Sequence, residues 1–267
     1  MTELETSVVV FLCLLAATGL GAFVRPLLPE EHKAHETVQL LKLVVGMLVT
    51  FAALVLGLLT ASSKAVFDTT TTDIRTYAAA LIQLDNSLRE YGPQADAPRR
   101  ILRAYTAAAI ASTWVQEPPP PGDYYQKTPV PGYGTDNLDS RVLGAMLERA
   151  QRYTRELQPA DPFHQKLAEE ALGRFDRLIQ QRWKIVEEAR GSASSPFDRI
   201  LVFWLLVIFL CFGLIAPRNA LALVTIMLGA LSIASTVLVI LDLDTPFTGS
   251  IVVPSQSMRD ALGYLNR

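Results

Sequence analysis

Four stretches of this chain run without one charged residue: Thr6 to Val24, Leu43 to Ser63, Ile200 to Pro217 and Asn219 to Leu241. A helix needs about 18–20 residues to cross a hydrocarbon core of about 30 Å, and each stretch reaches that length. With 50% of its 267 residues hydrophobic, the chain is too apolar for an ordinary soluble domain. The apolar residues gather near the two ends, and the middle carries most of the charge. The first stretch is read as a retained helix rather than a signal peptide. Its leading segment holds Glu3 and Glu5 and no Lys or Arg, and no small-residue cleavage site follows. Ala216-Pro217-Arg218-Asn219 is a tight turn, so the last two helices form an antiparallel hairpin. The expected architecture is therefore all-α: an integral membrane protein with four transmembrane helices, two N-terminal and two C-terminal, flanking a water-exposed helical domain. The divisions fall at 1–64, 65–197 and 198–244, with a tail over 245–267.

Four spans place both termini and the middle domain on one side of the membrane. Arg25 and Lys33 follow the first span and Arg218 sits in the second short turn, whereas the N-terminal tail has no Lys or Arg. Positive-inside counting on short loops puts the termini and middle domain outside the cytoplasm, in a multi-pass protein of the inner (plasma) membrane. Lys64, Lys184, Arg190 and Arg199, which flank the middle domain, pull the other way.

The second span continues past Lys64 in a 3–4–3–4 spacing of Phe67, Thr70, Ile74, Tyr77, Leu81, Leu84, Leu88 and Tyr91. This heptad seam ends at Gly92-Pro93 and predicts one long helix running on as a stalk. At 1.5 Å per residue its fifty or so residues would span about 75 Å. Traced backwards, the same register meets Ser63, Thr60, Leu56, Ala53, Val49 and Gly46. A further helix is expected from about Pro98 to Trp114, then an exposed extended loop over 117–135, rich in Pro, Gly and Tyr. Helices resume near Asp136 and at Asp161-Pro162, where an N-cap precedes Pro at the first helical position. Gly191 to Pro196 reads as a hinge into the third span.

Several function classes are excluded by what is missing. A net charge of −2 leaves no basic stripe to neutralise phosphates, so nucleic acid is not a partner. Cys13 and Cys211 lie inside apolar runs and read as small buried hydrophobes. There is no Gly-rich phosphate loop, nucleophile elbow or paired-Cys motif, no cofactor signature, and only three His. The chain is not read as an enzyme.

Three stretches carry a resemblance. Near the second span stand Leu28-Pro29-Glu30 and His32, then 53–59, Ala61-Ser62-Ser63-Lys64 and Phe67-Asp68. The stalk holds Leu84-Asp85 and Tyr91-Gly92-Pro93. The C-terminal pair contains Val202-Phe203-Trp204, Phe212-Gly213-Leu214 and Ala216-Pro217-Arg218-Asn219-Ala220, and closes on Leu241-Asp242-Leu243-Asp244, Pro246-Phe247 and Gly249. Together they resemble the bestrophin-like bacterial membrane family. The resemblance implies an architecture, and by analogy with bestrophins an anion channel. The Pro-rich loop departs from the family pattern, and the Ile-Pro-Phe neck motif of true bestrophins is absent.

Candidate site residues lie on the second span and at the span edges. Gly46, Thr50, Ala53, Gly57, Thr60 and Lys64 recur three or four apart. In a homo-oligomer they could line a path in which a ring of Lys64 concentrates an inorganic anion. Alternatively, the small residues permit close helix packing and Lys64 snorkels. His32 and His35, beside Glu30, Glu31 and Glu36, are read as solvated loop residues rather than metal ligands. Asp242 and Asp244 end the last span, where they either bind a cation, pair with Lys64 or Arg25, or mark the interface. Two functions remain open, an anion channel or pore and a non-conducting scaffold or sensor whose helical domain binds a partner. They differ at Thr50, Thr60 and Lys64, which face a hydrated axis in a pore and pack on the first or third span in a scaffold.

Overall fold

The computed structural model describes residues 3–27, 29, 35–125, 141–189, 196–217 and 219–267. Among them are eight α-helices and no strand: α1 (Glu3–Val24), α2 (His35–Tyr91), α3 (Asp96–Thr113), α4 (Arg141–Arg155), α5 (Pro162–Ala189), α6 (Pro196–Ile215), α7 (Ala220–Asp244) and α8 (Gln256–Leu265). Two compact units form, one from Met1–Phe67 with Ser192–Val252 and the other from Asp68–Gly191 with Val253–Arg267. The predicted hinge at 191–196 and the helix start at Asp136 fall outside the described residues, apart from Pro196 at the head of α6.

In the first unit α1 packs against both α6 and α7. Val10 and Leu14 of α1 join Val45 and Ala52 of α2, Leu201, Leu205, Ile208 and Phe209 of α6, and Ala230 of α7 in one apolar core. Three helices, α1, α2 and α7, are long and apolar enough to cross a membrane, while α6 is apolar over the shorter Ile200–Ile215. The closest approach is between α1 and α6. A Cβ on Gly21 would fall on the Leu210 carbonyl and lie 3.1 Å from the Gly213 Cα, and one on Gly213 would fall on the Thr18 carbonyl. Only glycine at both positions lets these two backbones meet. Cys13 is exposed on α1 and Cys211 half-buried on α6, so neither is a buried core residue; both belong to helices whose outer faces are as apolar as their inner ones.

In the second unit the seam of α2 is closed by the chain itself. Ile74, Tyr77, Leu81, Leu84 and Leu88 are 0–1% exposed, and covering each such leucine is worth about 1.5–3 kcal/mol. Buried Tyr77 and Tyr105 meet hydroxyl to hydroxyl at 2.5 Å, joining α2 to α3. Burial pushes the Tyr105 hydroxyl up to about 12 and raises Tyr77 as well, so both stay neutral and one hydroxyl donates to the other. Asp85 is buried, and accepts from Arg89 at 2.9 Å and Arg99 at 2.8 Å. α5 begins as the sequence predicts: Asp161 accepts the His164 N–H at 2.9 Å, and this bond holds its carboxyl below the usual range.

The structure corrects three expectations. Traced back to Gly46, the heptad register leaves the buried side, because Ala53, Val49 and Gly46 are exposed. An untwisted helix drifts about 20° per heptad against a 3.5-residue repeat, so over roughly six heptads the register turns through about 120° and off the buried side. The buried line is instead Val45, Ala52 and Ser63, running into Thr70 and Ile74. The described start of the Pro-rich loop is not wholly exposed: Pro120 and Tyr125 are buried, and the Tyr125 hydroxyl donates to the Pro120 carbonyl at 2.5 Å. Finally, the tail carries α8, which packs on α3 through Met258, Ala261, Leu262 and Leu265. The Trp114 indole donates to the Val253 carbonyl at 2.6 Å, and Arg259 pairs with Glu117 at 2.8 Å.

Candidate functional site on the second helix and at the span edges

At about 100° per residue, Gly46, Thr50, Ala53, Gly57 and Lys64 fall on one flank of α2, about 80–140° round from its buried line. Each of the five is exposed in the protomer, and Thr60 is half-buried at the margin. Nothing lies within 4 Å of where a Cβ on Gly46 or Gly57 would stand. These glycines therefore make no close helix contact inside the chain, in contrast to Gly21 and Gly213. The Thr50 hydroxyl donates to the Gly46 carbonyl at 2.9 Å and that of Thr60 to the Leu56 carbonyl at 2.8 Å. Bonded so, each offers only acceptor lone pairs outward, and must turn to donate to an anion. The fixed positive group on this face is Lys64, whose ammonium lies 5.6 Å from the centre of the Phe67 ring.

The edge charges separate into two ends. At one, Arg25 follows α1 and donates to the Ala216 carbonyl at 2.5 Å, capping the C-terminus of α6, where a cation suits the exposed carbonyls. At the other, Thr245 after α7 donates to Glu3 at the start of α1, 3.3 Å away. Since Arg25 and Glu3 mark opposite ends of α1, Arg25 does not reach Asp242 or Asp244 within the protomer. Asp242 is 4% exposed and accepts the Ser250 N–H at 3.3 Å. Gly249, at φ +85°, lies so close that a Cβ there would stand 2.6 Å from the Asp242 carboxylate. Asp242 thus clasps the loop after α7, and Asp244 is half-buried. His32 and Arg218 fall outside the described residues, and so does the side chain of His35.

Sequence reasoning missed the glycine pair joining α1 to α6, the Asp242 clasp, and the buried Asp85 with its two arginines. A signal for the first was present, since Thr18, Gly21, Ala22 and Gly213 are small residues inside two apolar runs.

One unit of long apolar helices and a second, self-contained helical unit define an all-helical integral membrane protein. The solved structures most useful for comparison agree. A bacterial bestrophin homologue from Klebsiella pneumoniae aligns with a TM-score of 0.63 at 17% identity, covering 97% of each chain. A crystal structure described only as a membrane protein gives 0.61 at 18% identity over 96% of each. A second form of the Klebsiella pneumoniae homologue gives 0.59 at 15% identity over 100% of both. No curated protein is similar enough to count as a match. Residues 12–258 match the Bestrophin-like domain, and the chain belongs to that family.

Proposed function

We propose that this protein is an ion-conducting membrane homo-oligomer in which the outward face of α2 lines the pathway and inorganic anions are the permeant species. The observation that carries the reading is the placement of Gly46, Thr50, Ala53, Gly57 and Lys64 on a side of α2 that the protomer's own core leaves uncovered. A face of small and hydroxyl-bearing residues is a poor surface to offer lipid and a good one to offer water or a second copy of itself. The structural similarity to a bacterial bestrophin homologue supports the same reading. The scaffold alternative requires Thr50 and Lys64 against the first or third span, a position that their exposure does not favour. In this reading α6 completes four spans with α1, α2 and α7 in the inner membrane, and the second unit lies outside the cytoplasm with both termini.

The test is selectivity. A unit charge at 4 Å is worth about 4 kcal/mol at an effective dielectric of 20, less at a hydrated mouth. In liposomes under a chloride gradient, Lys64→Glu shifts the reversal potential toward cations, whereas Lys64→Arg preserves its sign. Absence of flux from well-folded wild-type oligomer across several anions would sink the conducting reading. Orientation is tested separately by Asp123→Cys, exposed in the Pro-rich loop, which an impermeant thiol reagent labels in intact cells. Labelling only after lysis would reverse the topology.

A further inference from the structure

A cleft of about 410 Å³ opens in the second unit between Asp96, Arg99, Arg100 and Arg103 of α3 and Leu265 of α8. The four charged residues stand at i, i+3, i+4 and i+7, one face of the first two turns. Arg99 is neutralised by Asp85 at 2.8 Å, with Asp96 at 3.8 Å. No carboxylate among the described residues pairs with Arg100 or Arg103. The Arg103 guanidinium carbon lies over the Tyr124 ring, 4.7 Å from its centre, and its Nε is enclosed with no acceptor.

Left empty, this arrangement is unfavourable on three counts. Arg100 and Arg103 are like charges at i,i+3, a mutually repelling pair. All three cations sit toward the helix end whose exposed N–H groups are already positive. The Arg103 cation is partly stripped of water, and although the Tyr124 ring faces it, its enclosed Nε has no acceptor. One bound anion relieves all three. We propose that this cleft is a binding site for a phosphate-bearing anion, held by the guanidinium groups of Arg100 and Arg103 with Arg99 fixed beside them by Asp85. Two guanidinium forks without a carboxylate partner among the described residues call for at least two negative charges on one ligand, and their planar donor pairs match phosphate oxygens. A single chloride would fill little of the volume and could not satisfy two forks. The site is independent of the α2 face, and its test needs no ion flux.

The full chain in nanodiscs of neutral lipid is titrated with inorganic pyrophosphate by calorimetry at constant ionic strength. Wild type binds. Arg100→Gln with Arg103→Gln weakens binding by about tenfold or more, while Arg149→Gln, the same charge removed from exposed α4, changes it less than about twofold. Pyrophosphate also raises the melting temperature of wild type and not of the double variant. If the double variant misfolds, Arg100→Gln alone carries the comparison, since its side chain is exposed. Nanodiscs containing phosphatidic acid identify the source: loss of pyrophosphate binding there assigns the site to a lipid headgroup, and unchanged binding assigns it to a soluble phosphate. Equal affinity in wild type and Arg100→Gln, no binding of pyrophosphate at all, or citrate binding as tightly as pyrophosphate would each overturn the proposal.

Discussion

The two halves of α2 belong to one unbroken helix and meet opposite fates. From Thr70 to Tyr91 its apolar stripe is covered within the second unit, where Tyr105 and Arg99 of α3 and Lys184 of α5 reach it, leaving Ile74, Tyr77, Leu81, Leu84 and Leu88 with almost no exposure. From Glu36 to Lys64 the helix is more apolar, yet only 11% of its most apolar stretch is buried inside the protomer. Leu40, Leu43, Met47, Phe51, Leu54 and Leu58 are all more than half exposed. In water such a surface would aggregate; in a bilayer, lipid can cover it. The contrast teaches that apolar spacing alone does not say what covers a helix. The C-terminal half is finished by its own chain, and the N-terminal half is finished by its surroundings.

The sharpest way to break this contrast is to damage each half alike. Leu81→Asp with Leu88→Asp puts two charges into sealed positions, and the second unit should not fold; Leu84→Ala alone should cost about 2–5 kcal/mol by thermal melting. Leu54→Ala with Leu58→Ala should leave the melting temperature nearly unchanged in detergent. If both pairs melt alike, the two halves are not different environments. A finer test uses glycine. Gly213→Val, which collides with the α1 backbone, should cost at least about 1–3 kcal/mol and lower the yield of folded protein. Gly46→Val and Gly57→Val meet open space and should melt as wild type, while changing oligomer mass in native mass spectrometry if copies meet on that face. The smallest effect concerns Asp73, in the covered half. Burial first, then the adjoining Asp73 carboxyl, raise Glu188 despite Lys184 3.7 Å away. A carboxyl raised on folding binds its proton more tightly in the native state, so its contribution declines as pH rises from the ordinary glutamate value through the raised one. Glu188→Gln should therefore raise the melting temperature slightly at neutral pH, with the gain vanishing below the ordinary glutamate range.

Much of the fold is legible in the sequence because charge is so costly in lipid. Four uncharged runs mark α1, α2, α6 and α7, and the spacing from Phe67 to Tyr91 marks a buried seam. What the runs do not reveal is rotation. Where every side is apolar, periodicity is weak, so the side of α2 that meets α1 and α6 could not be assigned without the neighbours. α8 was legible and overlooked: Met258, Ala261, Leu262 and Leu265 stand at helical spacing. The candidate face on α2 was found as a pattern, but its exposure depends on three-dimensional packing. The Asp242 clasp could not be found this way, since Asp-Leu-Asp reads the same whether its first carboxylate points to solvent or to the Ser250 N–H.

The bond from Trp114 to the Val253 carbonyl, with the pairing of Glu117 and Arg259, has a consequence for the order in which the molecule is made. The second unit is assembled from two pieces of chain separated by α6 and α7. A ribosome delivers α3, α4 and α5 early, but the segment that packs on α3 and receives the Trp114 indole emerges only after α6 and α7. Until then the nascent unit has an open wound along α3, a surface chaperones recognise. Its closure reports that the apolar helices α6 and α7 preceding it in the chain have been synthesised.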